Sequence, residues 1–226
     1  MLTHQRAVLT PAELQRCRCV LEAADWADGK ATAGQQSARA KHNEQLAEGS
    51  ASAAALGEMV LDALRRHTGF VAAALPLKVF PPLFSRYESG MAFGDHVDNA
   101  IRFAPGGGRY RTDLACTLFL TDPADYDGGE LVINSGPHEQ RVKLPAGDLA
   151  LYPATSVHRV EPVTRGARWA AVFWVQSMVR SDEQRSLLHG MDGAIADVRS
   201  ALSDDHPSVI VLTGAYHNLV RMWAEL

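Results

Sequence analysis

Three residues of this chain have the types and spacing needed to hold a metal ion: His96, Asp98 and His158. The first two stand in Gly94-Asp95-His96-Val97-Asp98-Asn99, and side chains two apart in extended chain point to the same side. A third donor has to come from a distant segment. The apolar run Leu149-Ala150-Leu151-Tyr152 leads through a turn to His158-Arg159-Val160 and supplies it. Two neutral imidazoles and one carboxylate on one face of a metal leave open positions, the arrangement associated with non-haem Fe(II) oxygenases. Arg168 heads a second apolar run, Trp169-Ala170-Ala171-Val172-Phe173-Trp174-Val175. A guanidinium fork in that place is a natural clamp for a carboxylate.

These residues need a rigid frame. Between positions 78 and 175 the sequence breaks into short apolar runs separated by Gly, Pro, Asn and Asp, which predicts strands over 78–88, 113–120, 129–133, 140–143, 148–152, 158–160 and 168–176. So many short strands without intervening helices indicate a closed or double-sheet β architecture. Helices are expected on either side. Thr10-Pro11-Ala12-Glu13 is a helix start with an N-cap, a proline in the first turn and an acidic residue, and the helix is predicted to run to about residue 24. Leu56, Met59, Val60 and Leu64 share one helical face in a segment ending near His67. A helical region opens at Asp182, and Leu212, Tyr216, Leu219, Val220 and Trp223 form a stripe on a last helix. The polar segment 35–44 reads as an exposed loop or cleft rim, and the glycine-rich stretch 98–110 as either a lid over the metal or a hairpin connection.

The string His96-x-Asp98, Gly128-Gly129-Glu130-Leu131, His158-Arg159-Val160 and Arg168 resembles the Fe(II)- and 2-oxoglutarate-dependent dioxygenases. More narrowly, Arg86-Tyr87-Glu88-Ser89-Gly90-Met91-Ala92-Phe93-Gly94-Asp95-His96-Val97-Asp98-Asn99-Ala100 is similar to the PKHD-type hydroxylases, relatives of the prolyl 4-hydroxylases. The resemblance implies an α+β fold, with a double-stranded β-helix (distorted jelly roll) core over 78–178 between an N-terminal helical support region, 1–77, and a C-terminal helical region, 179–226. It implies Fe(2+) on His96, Asp98 and His158, and 2-oxoglutarate held by Arg168, with Tyr87 as a second donor. L-Ascorbate is the expected reductant of stray Fe(III). The reaction would be hydroxylation of a small-molecule or peptidyl substrate by O₂, coupled to decarboxylation of 2-oxoglutarate to succinate and CO₂. Arg165 competes for the clamp but sits beside Gly166 in what reads as a solvated turn.

Composition sets the outer limits. The 226 residues suffice for one good core, and 46% apolar with 21% charged residues describes an ordinary soluble protein. A net charge of −4 gives no electrostatic reason for a nucleic acid or anionic membrane partner. There is no signal-like N-terminus or membrane-length apolar run, so a cytoplasmic location is expected. Cys17, Cys19 and Cys116 cannot all pair and read as reduced thiols. The apolar stripe of the last helix suits a homodimer. Two rival readings stand beside the dioxygenase. A non-catalytic, cupin-like sensor would hold a metal or small acid without turnover. A zinc hydrolase can use the same donors but lacks an evident general base and leaves Arg168 without a role.

Overall fold

The computed structural model describes residues 1–32, 34, 36–104, 107–134 and 138–226. The N-terminal region contributes β1 (Thr3–Gln5), α1 (Pro11–Glu22), β2 (Trp26–Asp28), α2 (Ser37–Ala40), β3 (Lys41–His42), β4 (Glu44–Leu46), α3 (Ala51–Arg66) and α4 (Thr68–Ala74). The middle of the chain holds β5 (Pro76–Val79), β6 (Leu83–Tyr87), β7 (Ala92–His96), β8 (Ile101–Phe103), β9 (Arg109–Arg111), β10 (Leu114–Phe119), β11 (Asp127–Gly128), β12 (Leu131–Asn134) and β13 (Glu139–Val142). Then come β14 (Leu149–Pro153), β15 (His158–Val160), β16 (Val163–Arg165) and β17 (Arg168–Ser177), followed by α5 (Asp182–Leu202) and α6 (Pro207–Trp223).

Two antiparallel sheets face each other, as the jelly-roll expectation requires. The major sheet runs β1-β14-β10-β17-β6-β4-β2, with β5 also paired to β17; the minor sheet runs β13-β12-β15-β7-β3. Period-two alternation on β17 sorts its side chains between two environments. Ala171, Phe173 and Val175 pack outward on Cys17, Leu21, Leu56, Val60, Leu64 and Phe70 of the helices. Arg168, Val172 and Trp174 turn inward, where Ala115, Ala150 and Tyr152 of the major sheet meet Leu131 and Ile133 of the minor one.

Local chemistry explains the helix starts. Thr10 accepts from the Glu13 amide while the Glu13 carboxylate receives the Thr10 amide, a full capping box with Pro11 in the first turn. Ser50 and Ser181 cap α3 and α5 in the same sense. At the C-terminus, Tyr216, Leu219, Val220 and Trp223 of α6 pack around Leu75, Val179 and Leu188, so most of the predicted stripe is used within the chain.

Three expectations change in detail. The N-terminal region is not helical alone: β1, β2 and β4 extend the major sheet and β3 edges the minor one, pairings too short to leave a period in the sequence. The strand expected over 78–88 is two strands, interrupted where Pro81-Pro82 removes two ladder donors. Segment 98–110 contains a hairpin, β8–β9, with Arg102 opposite Tyr110; its tip at 105–106 lies outside the described residues.

Candidate active site

His96 ends β7, and His158 opens β15 directly opposite it in the ladder. Asp98 lies two residues beyond His96, with Val97 between them turned to solvent. The extended-chain expectation therefore holds, and one donor atom from each of His96, Asp98 and His158 lies within 4.8 Å of the others. His158 is buried at 6% exposure, and its Nε2 is 3.8 Å from Asp98 Oδ2.

Both rings are aimed by backbone. His96 Nδ1 is 2.9 Å from the Gly94 carbonyl, and His158 Nδ1 is 3.1 Å from the Ser156 carbonyl. A carbonyl only accepts, so Nδ1 carries the proton in each ring and the Nε2 lone pair is left for a metal. His96 also stacks on Phe93 at 3.6 Å, and Tyr152 meets His158 edge-on. Burial first, and His158 next, hold the His96 imidazole down to about 4, so it is neutral at physiological pH. Neutral nitrogen donors, a nearby carboxylate and outer-shell carbonyls fit Fe(II).

Arg168 lies on the opposite sheet, facing Tyr87 across the β6–β17 pair. It is 1% exposed, and none of its three guanidinium nitrogens has a hydrogen-bond partner among the described residues. Ring faces offset part of its charge, Phe119 at 5.1 Å and Tyr87 at 5.4 Å from Cζ, and the Tyr126 hydroxyl lies near it. A buried fork without an acceptor is costly and calls for a carboxylate. Burial pushes the Tyr87 hydroxyl up to about 12 against the opposing pull of Arg168, so it remains a donor. Gly128 and Gly129 have φ of +70° and +65°; a Cβ on Gly129 would press on Val163, Tyr126 and, at 3.1 Å, Arg168 Cδ. Gly129 thus makes room for the arginine, while Gly128 lets the chain pass close to the Pro162 carbonyl. Arg165, the competitor, is exposed and paired with Asp127 at 2.7 Å.

Two cavity-lining residues were not legible in advance. Lys41 comes from the segment read as a polar loop, yet it is buried and donates to Thr32 and Gln45. Burial, then repulsion from Arg102, lowers its ammonium to about 8. Trp174 is the other, and its indole N–H has no partner among the described residues. Three arginines stand in or beside the 98–110 stretch, and of these Arg102 alone lines the cavity; Arg109 lies over Phe103, and Arg111 is tied to Asp113 and Glu225.

Residues 82–176 match the 2OG-Fe(II) oxygenase superfamily, and residues 182–225 match the PKHD-type hydroxylase C-terminal domain. A PKHD-type hydroxylase of Methylobacterium nodulans is 60% identical over 227 residues, with all of both chains covered. The PKHD-type hydroxylase PiuC of Pseudomonas aeruginosa is 58% identical, again over all of both chains. Among solved structures, a Pseudomonas putida prolyl-4-hydroxylase is similar over 77% of this chain and 92% of its own, at 18% identity and a TM-score of 0.51. A non-heme alpha-ketoglutarate-dependent carbocyclase, SnoK of nogalamycin biosynthesis, is similar over 79% and 80%, at 16% identity and a TM-score of 0.55. At those identities the two structures speak to fold alone.

Proposed function

The chain belongs to the PKHD-type hydroxylase family of 2OG-Fe(II) oxygenases, and from that premise we propose that His96, Asp98 and His158 hold Fe(II) while Arg168 receives the distal carboxylate of 2-oxoglutarate. The protein is an Fe(II)- and 2-oxoglutarate-dependent dioxygenase of the hydroxylating type. One observation supports the residue assignment above all: three metal donors converge on one wall of a cavity whose other wall holds a buried, partnerless guanidinium.

The chemistry supplied at such a centre is insertion of one oxygen atom of O₂ into a substrate C–H bond, the other entering succinate as 2-oxoglutarate loses CO₂. The protein's part is placement and exclusion of water. Gly94 and Ser156 keep the two rings in the right tautomer, Arg168 fixes the far end of the cosubstrate, and Tyr87 donates a second hydrogen bond to it. Phe93, Val172 and Leu131 keep the intervening space apolar. L-Ascorbate serves as the reductant that returns Fe(III) to Fe(II), and the substrate is a small molecule or a peptidyl side chain. The protein works in the cytoplasm, a location compatible with the lack of any helix, among the described residues, long and apolar enough to cross a membrane. Ile210, Val211 and Met222 are exposed on α6 and provide an apolar surface for a homodimer.

Anaerobic titration with Fe(II) and 2-oxoglutarate tests the assignment. The weak visible metal-to-ligand charge-transfer band is expected in the wild type and absent in His96→Ala. Lack of the band in folded, iron-loaded wild type would overturn it.

A further inference from the structure

The β8–β9 hairpin is built inside out. Ile101 and Phe103 are 47% and 66% exposed, while Arg102 between them faces the cavity, the reverse of the sorting expected for a half-buried strand. The arrangement is held firmly: Thr112 donates through its hydroxyl to the Asn99 carbonyl at 2.7 Å and through its amide to that of Ala100, closing the base of the hairpin. Arg102 Cζ then lies 3.9 Å from the Trp174 ring and 5.0 Å from that of Phe80. Phe80 in turn meets Tyr110 and Trp174 edge-on.

This aromatic nest holds two orphaned donors. Arg102 Nε and Trp174 Nε1 are both buried, both line the same cavity, and neither has an acceptor among the described residues. Two adjacent N–H groups lacking an acceptor mark the place of an oxyanion, which would satisfy both and pair the charge.

The missing acceptor is not the cosubstrate. Arg168 and Trp174 point inward from the same strand six positions apart, about 20 Å at the usual rise of ~3.3 Å per residue. The two cations therefore serve opposite ends of the cavity, and the metal donors lie on the facing sheet. The charge pattern agrees. Asp98 is the one carboxylate among the cavity's described lining residues. With Fe(II) and 2-oxoglutarate bound, their charges and those of Asp98 and Arg168 cancel. Lys41 and Arg102 repel one another and share only Asp98, already counted with the iron, as an anion in the cavity; Glu48 acts on both, and Asp28 on Lys41, from outside it.

We propose that Arg102, with the indole N–H of Trp174, is the recognition site for a carboxylate on the primary substrate, so that the hydroxylated molecule is a carboxylic acid entering acid group first at the hairpin end. The proposal rests on the assignment of the iron and 2-oxoglutarate sites above. A carboxylate fits because it pairs the guanidinium charge and has two acceptor oxygens for two buried donors, the Arg102 Nε–H and the indole N–H.

The test uses full-length protein with saturating Fe(II) and 2-oxoglutarate under anaerobic conditions, titrated with benzoate and, separately, with its neutral isostere benzamide. Tryptophan fluorescence and the charge-transfer band are followed together. Wild type is expected to bind benzoate at least ~ten-fold more tightly than benzamide, the margin of a charge-assisted hydrogen bond. Arg102→Gln should erase that preference while holding 2-oxoglutarate affinity within about two-fold, and Arg102→Lys should keep part of it. Trp174→Phe, which removes the N–H together with the pyrrole half of the indole and keeps one aromatic ring, should reduce it. No preference in wild type, a preference intact in Arg102→Gln, or a matching loss of 2-oxoglutarate affinity in that variant would each overturn the proposal. If the charge-transfer band never forms, the iron-site assignment fails instead, and benzoate binding to the metal-free protein still reads out Arg102 through fluorescence.

Discussion

Replacing Arg168 by methionine separates its binding role from any structural one, because the two predict effects of opposite sign. The side chain is 1% exposed and its nitrogens have no acceptor, so the protein without cosubstrate already bears the cost of a buried, unpaired cation. The faces of Phe119 and Tyr87 offset part of that cost. Arg168→Met removes the charge and keeps most of the packing volume. The stability of the cofactor-free protein should therefore stay within ~1 kcal/mol of wild type or rise. Cosubstrate binding should collapse, since an unpaired buried carboxylate costs about 3–5 kcal/mol, roughly a hundred- to several-thousand-fold in affinity at ~1.4 kcal/mol per decade. Thermal unfolding with and without 2-oxoglutarate reads both effects. At 100 times its Kd the cosubstrate stabilises wild type by about 2.7 kcal/mol, a Tm rise of roughly 5–10 °C for a chain of this size, and that rise should vanish in the variant. Two results would refute the reasoning: 2-oxoglutarate affinity within about ten-fold of wild type, or a cofactor-free variant destabilised by several kcal/mol.

Other perturbations give equally definite outcomes. His158→Ala should weaken Fe(II) binding in equilibrium dialysis by more than the ~10–100-fold typical of outer-shell losses, and retained iron would remove His158 from the site. Gly129→Ala places a Cβ at positive φ, 2.9 Å from Val163 Cγ2 and 3.1 Å from Arg168 Cδ. It should lower unfolding stability by more than ~1 kcal/mol and weaken 2-oxoglutarate binding; unchanged cosubstrate affinity would show that Arg168 does not depend on the glycine. Burial and Arg102 lower the Lys41 ammonium to about 8, below the ~10.4 of an unfolded chain. Between those values the unfolded state binds the extra proton, so the folded state gains stability as pH rises, and below pH 8 the full penalty stands. In urea unfolding, wild type should gain on Lys41→Met by roughly 2–3 kcal/mol as pH rises from 8 towards 10.5; a flat difference would refute a buried, strained ammonium.

The clustering of the proposed metal donors was legible because each sits in a context that sequence patterns report well. His96 and Asp98 obey two-residue alternation, and His158 and Arg168 open strands with clear apolar runs. Lys41 was not legible: β3 and β4 are two and three residues long, too short to show a period, and their polar composition reads as loop. Nothing in the sequence separates Arg102 from Arg109 and Arg111, its neighbours in and beside the same glycine-rich stretch. What distinguishes it is an inward turn that puts isoleucine and phenylalanine in water, and hydrophobic sorting predicts the reverse. Trp174 was assigned to a strand correctly, yet its partnerless N–H depends on the hairpin packed against it. The double proline at 81–82 did announce itself, and weighing it against the surrounding apolar run would have split that strand in advance.

The direct pairing of His158 with His96 bears on how the protein comes by its metal. The two lie 62 positions apart, so an emerging or unfolded chain offers iron little more than the His96–Asp98 pair, and the complete donor set exists only once β15 has joined β7. The rings are then held by the Gly94 and Ser156 carbonyls. On the proposed assignment, iron capture follows folding rather than driving it, unlike the small zinc domains in which metal and fold arrive together. If these residues hold the iron, the folded protein stripped of it is expected to keep its fold and to rebind Fe(II), which circular dichroism before and after chelation checks.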